Sequence, residues 1–200
     1  MFDEMSLATH INYLIKQDEV EGFATQNTSG HAFANHAQVF MVRGITQRWK
    51  QPIFYHFSGG PVSGFDIAIT LKSIILKLTD IGLTVCTVIC DQGANNCTGL
   101  KYLCHQTKIE KLQKGEETEN DFFFEIGGQK IFPLYDPPHL LKCIRNNFLN
   151  HNIVYYEEGK KKVAKWDHII TAYNMDPYFG SLRLMPKLTD QHVLKTKFAK

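Results

Sequence analysis

Apolar and polar positions in the first part of the chain predict a series of short strands. β-Branched and aromatic residues are concentrated in three runs that have the composition of strands, at residues 20–23, 38–44 and 52–57. The runs follow one another with short connections. Such an order favours an antiparallel meander.

The spacing changes at Asp66 and predicts a helix with one apolar face. Apolar residues occur at the intervals expected for that face, at positions 67, 71, 74, 75, 78 and 81. Ser63 lies three residues before Asp66, as in a capping box, and Gly82 stands where the helix should end. The apolar run 85–90 predicts a strand that closes on Asp91. Because a helix connects it to the earlier strands, this strand should be parallel to one of them.

The second half of the chain predicts further helices and two hairpins. In order, the expected elements are a helix at 95–104, an exposed loop or frayed helix at 108–120, a hairpin formed by 122–126 and 130–135, a helix from 136 to about 150, a hairpin that turns at 158–159 and a helix at 166–175. Strands of mixed direction with helices on their faces indicate the α/β class.

Composition restricts the class of protein. Apolar residues make up 44% of the 200 positions and charged residues 21%, which is typical of a globular protein. No apolar run approaches the roughly 18 residues that span a bilayer, and no basic segment followed by an apolar one opens the sequence, so no membrane partner is expected. The net charge of +2 does not by itself indicate nucleic-acid binding. Five cysteines, an odd number, suggest reduced thiols.

Two aspartates associated with apolar runs are candidate metal ligands. Asp3 stands near the start of the sequence, and Asp91 closes the run 85–90. Carboxylates at neighbouring strand ends repel each other unless a divalent cation lies between them, and Mg²⁺ prefers such oxygen ligands. Spacing alone also allows a simpler interpretation, in which Asp3 is a chain-end residue and Asp91 a helix N-cap or turn residue.

Asp136 is a rival for the third carboxylate of such a site. It also ends an apolar run, and Pro137 and Pro138 follow it. An aspartate followed by proline in the first turn is typical of a helix N-terminus, so a capping role is the alternative. His139 lies one turn inside the helix, where it could contact a phosphate or a metal-bound water, or serve only in packing or capping.

The helix that Asp136 opens has a polar face suited to phosphate contacts. That face carries Lys142, Arg145 and Asn146, and the opposite face carries Leu140, Ile144 and Phe148. Cationic and amide side chains of this kind contact nucleic-acid backbones. A solvated surface without a ligand is the alternative interpretation.

Five blocks of sequence together resemble one family. The blocks are Phe-Asp-Glu-Met-Ser at 2–6, Val-Phe-Met-Val-Arg-Gly-Ile at 39–45, Trp-Lys-Gln-Pro-Ile at 49–53, Val-Ile-Cys-Asp-Gln-Gly-Ala-Asn-Asn at 88–96, and Asp-Pro-Pro-His-Leu-Leu-Lys with Ile-Arg-Asn-Asn at 136–147. In this order they resemble the catalytic domain of P-element-type transposases, whose relatives carry a THAP-type zinc finger. The resemblance implies a ribonuclease H-like fold, an α/β mixed sheet flanked by helices, here with a truncated first strand.

The same resemblance implies a metal site of two aspartates and a glutamate. The first aspartate of the family matches Asp3 and the second matches Asp91, whereas the glutamate lies beyond an inserted helical domain that binds GTP in the complete family member. Mg²⁺ or Mn²⁺ is the expected metal cofactor, and the GTP site is expected outside this chain. Residues 1–175 should form an incomplete ribonuclease H-like domain, and residues 176–200 the truncated beginning of the insertion.

The function implied by the resemblance is DNA cleavage and strand transfer by phosphoryl transfer, with this chain as a fragment of the transposase. Its partners would be transposon ends and target DNA, its location the nucleus, and its full-length form a homo-oligomer. Because the third carboxylate is expected outside this chain, a domesticated or decayed module that binds nucleic acid or protein without catalysis is the alternative. A stand-alone nuclease that completes its acidic set with Asp136 is a further hypothesis.

Overall fold

The computed structural model describes residues 1–25, 32–116, 122–176 and 183–194. The chain divides into two compact units, Met1–Pro137 and Pro138–Lys200. Within the described ranges no helix combines the length and the apolar character that a membrane span requires.

The first unit begins with five strands. They are β1 (Phe2–Ser6), β2 (Asn12–Leu14), β3 (Glu19–Glu21), β4 (His36–Arg43) and β5 (Lys50–Ser58). An antiparallel sheet has the order β1-β4-β5, so the predicted pairing of β4 with β5 is confirmed. The predicted meander is wrong in its first member, because β3 pairs with β2 in a separate hairpin and β1 takes the place beside β4. All of β3 is exposed, so this strand has no face to bury in a core.

β1 is short and is paired along its whole length. Its register with β4 runs from Phe2 opposite Phe40 to Ser6 opposite His36. The rings of Phe2 and Phe40 stack with their centroids 5.2 Å apart, and both side chains are buried. The strand expected to be truncated is therefore present and anchored in the sheet.

β5 is the outer strand of this sheet. The β4–β5 register shifts between Phe40 and Met41, next to the position where Pro52 stands opposite Met41. Farther along, the N–H of Phe57 donates to the Thr25 hydroxyl at 2.9 Å, and the N–H of Thr25 donates to the Phe57 carbonyl at 2.9 Å. Because proline has no N–H, Pro52 removes a donor from one half of the strand, and Thr25 covers part of the other half.

A helix, a strand and a second helix follow. They are α1 (Gly64–Asp80), β6 (Thr87–Cys90) and α2 (Ala94–Gln113). The predicted cap of α1 is confirmed, since the Ser63 hydroxyl accepts the N–H of Asp66 at 3.2 Å. α2 is longer than the predicted 95–104, because residues 108–113 continue the helix, which was one of the two alternatives for that segment. Thr107 explains the extension: it is buried, and its hydroxyl accepts the N–H of Glu125 at 2.9 Å. Tertiary contacts supply most helical stability in proteins.

The second sheet of this unit contains β6 and the hairpin of β7 (Phe124–Ile126) and β8 (Gln129–Tyr135), in the order β6-β8-β7. The hairpin was predicted, and its turn residues Gly127 and Gly128 have φ of 58° and 74°, as a type I′ turn requires. β6 is parallel to β8, a later strand, whereas an earlier partner was expected; it also lies beside β1. Helices α1 and α2 pack with both sheets around one core, which includes Phe40, Ile67, Ile75, Leu100, Phe124 and Ile131.

Helix α3 (Pro137–Asn150) leads into the second unit. That unit continues with β9 (Ile153–Glu157), β10 (Lys160–Ala164), α4 (Trp166–Met175) and α5 (Asp190–Val193). β9 and β10 form the second predicted hairpin, with positive φ at Glu158 (51°) and Gly159 (74°). The indole N–H of Trp166 donates to the carbonyl of Val193 at 2.9 Å, and its ring meets that of Phe148 with centroids 5.5 Å apart. These two contacts join α4 to α5 and to α3.

Candidate active site

A cleft of about 240 Å³ opens in the first unit beside β1 and the end of β6. Its lining consists of Asp3 and Glu4 from β1, Asp91 after β6, and Gly93, Ala94, Asn95 and Asn96 at the start of α2. Asp3 and Asp91 are far apart in the sequence, and they share this cleft because β1 lies beside β6. Three carboxylates and two carboxamides therefore line the same space.

Asp91 is held in one orientation by its neighbours. Its Oδ1 accepts the backbone N–H of Gly93 at 2.9 Å and the side-chain N–H of Asn96 at 2.6 Å. The first bond is that of an Asx-turn, so Asp91 is a turn residue, one of the two roles in the simpler interpretation of the sequence. The N-cap interpretation does not apply to Asp91, because Gly93 is the N-cap of α2. Asn96 is buried, and it was not predicted from the sequence. Its place in the first turn of the helix that follows Asp91 was a signal that could have identified it.

Glu4 is a second cleft residue that sequence analysis missed. The backbone N–H of Glu4 donates to Oδ1 of Asp3 at 2.9 Å. Its own carboxylate accepts the N–H of Val62 at 3.4 Å and lies 3.8 Å from Nε2 of His36. Glu4 points to the same face of β1 as Phe2, two residues before it. A charged residue on the face of a strand that also carries a core residue was the sequence signal that could have identified Glu4.

A row of polar side chains crosses the sheet from Glu4. Gln38 stands opposite Glu4, and His56 stands opposite Gln38. Gln38 and His56 are buried, and their side-chain nitrogen and oxygen atoms have no hydrogen-bond partner among the described residues. Burial lowers the pKa of His56, against the opposing effects of Glu4 and Asp66. His56 is therefore neutral at pH 7.

The buried His56 should make the fold sensitive to acid. The unfolded chain takes up the proton near pH 6.5 and the folded chain only at lower pH, so stability should fall as the pH drops below about 6.5. We expect His56→Gln to show a smaller fall in Tm between neutral and mildly acidic buffer than the parent protein. His105→Gln, at an exposed histidine of α2, is the control. An unchanged acid-induced fall in Tm for His56→Gln would contradict this assignment.

Cys90 is the buried neighbour of Asp91. Burial, with the nearby Asp91 carboxylate as the next cause, raises the pKa of its thiol to about 12, so the thiol is protonated at neutral pH. Hard cations such as Mg²⁺ select oxygen ligands over the soft sulfur of cysteine. All five cysteines are free, and within the described part of the chain no group of three or more His, Cys, Asp or Glu side chains is placed to hold a metal ion. The cleft thus offers a partial set of oxygen ligands.

Residues 1–104, which include every residue that lines the cleft, match the family model described as TNP-like, RNase H N-terminal domain. The chain belongs to this family. The matched segment runs from β1 into α2, so both aspartates of the cleft lie in the part that defines this TNP-like domain.

Two curated relatives resemble this TNP-like chain. The Transposable element P transposase of Drosophila melanogaster is 29% identical over 164 residues, which cover 82% of this chain and 18% of that protein. The DNA transposase THAP9 of Homo sapiens is 30% identical over 170 residues, which cover 83% of this chain and 18% of that protein. The chain therefore spans less than a fifth of the length of the curated relatives it matches.

A solved structure shares the fold of this TNP-like chain. A chain of the Drosophila P element transposase strand transfer complex matches it with a TM-score of 0.68 and 26% identity, over 96% of this chain and 37% of that chain. The predicted ribonuclease H-like α/β fold and the resemblance to P-element-type transposases are therefore confirmed.

Asp136 of the TNP-like chain reaches the same edge of the sheet as Asp91. β6 and β8 are in parallel register with Cys90 opposite Tyr135, and the N–H of Asp136 donates to the Cys90 carbonyl at 2.9 Å. Asp136 is not among the residues that line the cleft with Asp3, and it directly precedes α3. This position suits the capping alternative, and a ligand role for Asp136 stays a prediction.

The residues predicted to contact phosphate lie on α3. His139, Lys142 and Asn146 are exposed. Arg145 is half-buried, and its guanidinium donates to the side-chain oxygen of Asn146 at 3.1 Å and 3.3 Å. Three of these four side chains are thus accessible to a ligand, and their contact with nucleic acid stays a prediction.

The predicted division of α3 into one polar and one apolar face is wrong at two positions, whereas Leu140 and Phe148 are partly buried and Lys142 and Asn146 exposed, as expected. Ile144, assigned to the apolar face, is 59% exposed, whereas Arg145, assigned to the polar face, is half-buried. Leu149 is the buried residue of this helix, and Phe148 packs against Trp166. Arg145 lies one turn before these residues and therefore shares their side of the helix.

Proposed function

We propose that this chain contributes the first two carboxylates of a DNA transposase active site. In this proposal Asp3 and Asp91 bind Mg²⁺ or Mn²⁺, and the reaction is cleavage and strand transfer of DNA by phosphoryl transfer. The observation that carries the proposal is the cleft that Asp3, Asp91 and the first turn of α2 line together in a chain of this family. Both relatives are transposases by name, which supports DNA as the partner and the nucleus as the location.

The ligand atoms of the cleft fit a hard divalent cation. Oδ1 of Asp91 accepts two N–H groups and Oδ1 of Asp3 accepts one. Each carboxylate keeps lone pairs for a cation, and Oδ2 of each has no hydrogen bond to another described residue. Mg²⁺ is commonly held by one or two carboxylates together with water and substrate phosphate. The glutamate that the family resemblance implies would complete this set, and its position after the predicted insertion stays part of the proposal.

The first turn of α2 suits the phosphate of a DNA substrate. The first N–H groups of a helix have no partner within it, and the helix dipole favours an anion at this end. Ala94, Asn95 and Asn96 supply that turn at the wall of the cleft. A bound divalent cation would stabilise the charge that develops on the phosphate oxygens. The chain itself binds the phosphate at α2 and keeps Asp91 oriented through Gly93 and Asn96.

The predicted GTP-binding insertion and the homo-oligomeric state remain predictions. Residues 177–182 and 195–200, part of the segment assigned to the beginning of the insertion, lie outside the described residues. Two described elements of that segment are the buried Asp176, which accepts the N–H of Leu184 at 2.9 Å, and the short helix α5. Neither identifies a nucleotide site.

Binding without catalysis is the second candidate function. It is favoured by the absence, in the described ranges, of a group of three side chains able to hold a metal ion. A protein of this kind would keep the fold and any contact with nucleic acid, and Asp91 would have no role in either. The two candidates therefore differ in whether the cleft takes up a divalent cation.

Titration of this chain with Mn²⁺, followed by the electron paramagnetic resonance signal of the free ion, tests the proposed function. We expect saturable binding that Asp3→Asn and Asp91→Asn each weaken by at least about tenfold, because each removes a charged ligand. Asp80→Asn, at an exposed aspartate of α1, is the matched control and should bind as the parent does. Equal binding by Asp91→Asn and the parent protein would reject the cleft as the metal site.

A further inference from the structure

The β9–β10 hairpin forms an isolated ribbon in the second unit. Among the residues that the structure describes, its two strands pair only with each other, and every residue from Ile153 to Val163 is exposed. Apolar and aromatic side chains are among them on both faces: Tyr155 is 44% exposed and Tyr156, on the opposite face, 72%. A two-stranded ribbon is marginally stable in water without a packing surface. The accessible apolar atoms on both of its faces indicate a surface that binds a partner.

Charge is unevenly distributed between the two strands of the ribbon. β10 begins with Lys160, Lys161 and Lys162, whereas the acidic residues Glu157 and Glu158 end β9 and enter the turn. Successive residues of a strand point to opposite faces, so Lys160 and Lys162 lie on one face and Lys161 on the other. The β10 edge therefore presents cations on both faces of the ribbon.

The lysines of the ribbon are available to a ligand. Lys160 and Lys161 have no ion-pair partner among the described residues, and Lys162 pairs with Glu157. Both members of that pair are exposed, and exposed ion pairs contribute little to stability. Lys162 can therefore exchange Glu157 for another anion at small cost.

Cations on both faces of one strand suit a groove with an anionic wall on each side. The major groove of duplex DNA has that form: it is about 12 Å wide, admits a two-stranded ribbon and is bounded by two phosphate backbones. Five strand residues extend roughly 17 Å, enough to reach several phosphates along the groove. A flat acidic protein surface would instead be matched by cations on one face. The tyrosines also occupy opposite faces, Tyr155 opposite Lys162 and Tyr156 opposite Lys161, and their hydroxyls can donate to phosphate.

We propose that the β9–β10 ribbon is a contact for duplex DNA, with its β10 edge in the major groove and its lysines on the two phosphate backbones. The proposal rests on the proposed function in taking DNA as the partner. It goes beyond that function by assigning DNA binding to residues that do not line the cleft. Because the contacts are to phosphate, the binding is independent of base sequence.

Fluorescence anisotropy of a labelled mixed-sequence duplex, measured with the full chain at several salt concentrations, tests this contact. Removal of two phosphate contacts in Lys160→Ala/Lys161→Ala should weaken binding at least about tenfold and reduce the slope of log K against log salt by about two. The matched control is Lys72→Ala/Lys77→Ala, which removes two exposed lysines of α1 and should change affinity less than about twofold.

One further variant and one change of buffer separate charge from folding and from the proposed catalysis. Lys160→Arg/Lys161→Arg keeps both cations and should bind DNA as the parent does, with circular dichroism showing equal Tm for all ribbon variants. The DNA titrations are run in EDTA, where no divalent cation occupies the cleft, so a failed metal-binding test would remove the catalytic proposal and leave the ribbon contact intact.

Three results would overturn the ribbon contact. One is an equal loss of DNA affinity in the ribbon and α1 variants, and another is an unchanged salt slope in Lys160→Ala/Lys161→Ala. The third is a poly-glutamate peptide that binds the parent chain as tightly as DNA does and loses affinity in the same variant, which would make an acidic protein the partner.

Discussion

Asp91→Asn is expected to reduce metal-dependent DNA cleavage by roughly 10³-fold or more in a polypeptide that carries this domain. Asparagine keeps an oxygen that can accept the N–H of Gly93, the bond that Asp91 makes at 2.9 Å, so the turn after β6 should form as before. The change removes the negative charge at the wall of the cleft and with it the proposed ligand for a divalent cation. The loss should therefore appear in cleavage rate, with Tm nearly unchanged.

Graded controls make this prediction specific to the geometry of the cleft. Asn96→Ala removes the 2.6 Å hydrogen bond that orients Asp91 and should lower the cleavage rate by roughly 10- to 100-fold, as outer-shell partners of metal ligands do. Asp80→Asn should leave the rate unchanged. The experiment is a time course of nicking of plasmid DNA in Mg²⁺ and in Mn²⁺. Cleavage that persists in Asp91→Asn but disappears in Asp136→Asn would support the stand-alone nuclease instead.

Gly99→Ala is expected to destabilise the fold and to disturb the cleft at the same time. A Cβ at position 99 would lie 2.7 Å from the backbone oxygen of Gly64, and a Cβ at position 64 would lie 2.8 Å from the backbone oxygen of Asn95. α1 and α2 thus cross where each has a glycine, and neither backbone oxygen can rotate away. Alanine gains about 1 kcal/mol in helix propensity, and overpacking of this kind costs about 1–3 kcal/mol.

The clash at Gly99 should dominate, because relief requires the two helices to separate. We expect a Tm lower by roughly 5 °C and weaker Mn²⁺ binding, since Asn95 and Asn96 lie on the same helix as Gly99, one turn before it. Gly60→Ala is the control, because a Cβ there meets nothing within 4 Å. An increase in Tm for Gly99→Ala would show that the helices can move apart without loss of packing.

Features of the fold that depend on neighbours in the sequence could be predicted. The Ser63 cap begins α1 where the capping box placed it, and the hairpin of β7 and β8 turns at Gly127 and Gly128. In both cases a few adjacent residues determine the backbone. The content of β-branched and aromatic residues also predicted the positions of β4 and β5. These local signals sufficed for the α/β class and for most of the element order.

Features that depend on distant contacts could not be predicted from local pattern. α2 extends to Gln113 because Thr107 accepts an N–H from Glu125 of β7, a contact that no helical spacing reveals. The orientation of α3 follows from the packing of Phe148 on Trp166. In both cases tertiary packing decided what a pattern confined to one element left open, at residues 108–113, or misplaced, at Ile144 and Arg145.

The candidate site shows the same distinction. Asp3 and Asp91 could be named as candidates because each is associated with an apolar run and lies in a recognisable block of sequence. Glu4 and Asn96 were missed because their significance comes from their partners, Val62 and His36 for the first and Asp91 for the second. Sequence thus identified the candidate ligands, and only the fold revealed the groups that orient them.

The outer edge of β5 has two features that oppose fibrillar pairing with a strand of another molecule. An unprotected edge strand offers its free backbone groups as a template for a strand from another molecule. Ile53, Phe54 and Tyr55, all exposed, would make β5 an adhesive template of that kind. Pro52 withholds one N–H beside a break in register, and Thr25 occupies both backbone groups of Phe57. β5, the strand with the most exposed aromatic surface of the sheet, therefore lacks an N–H donor near its start and has backbone groups already bonded near its end. A strand from another molecule could pair with only a short stretch of it.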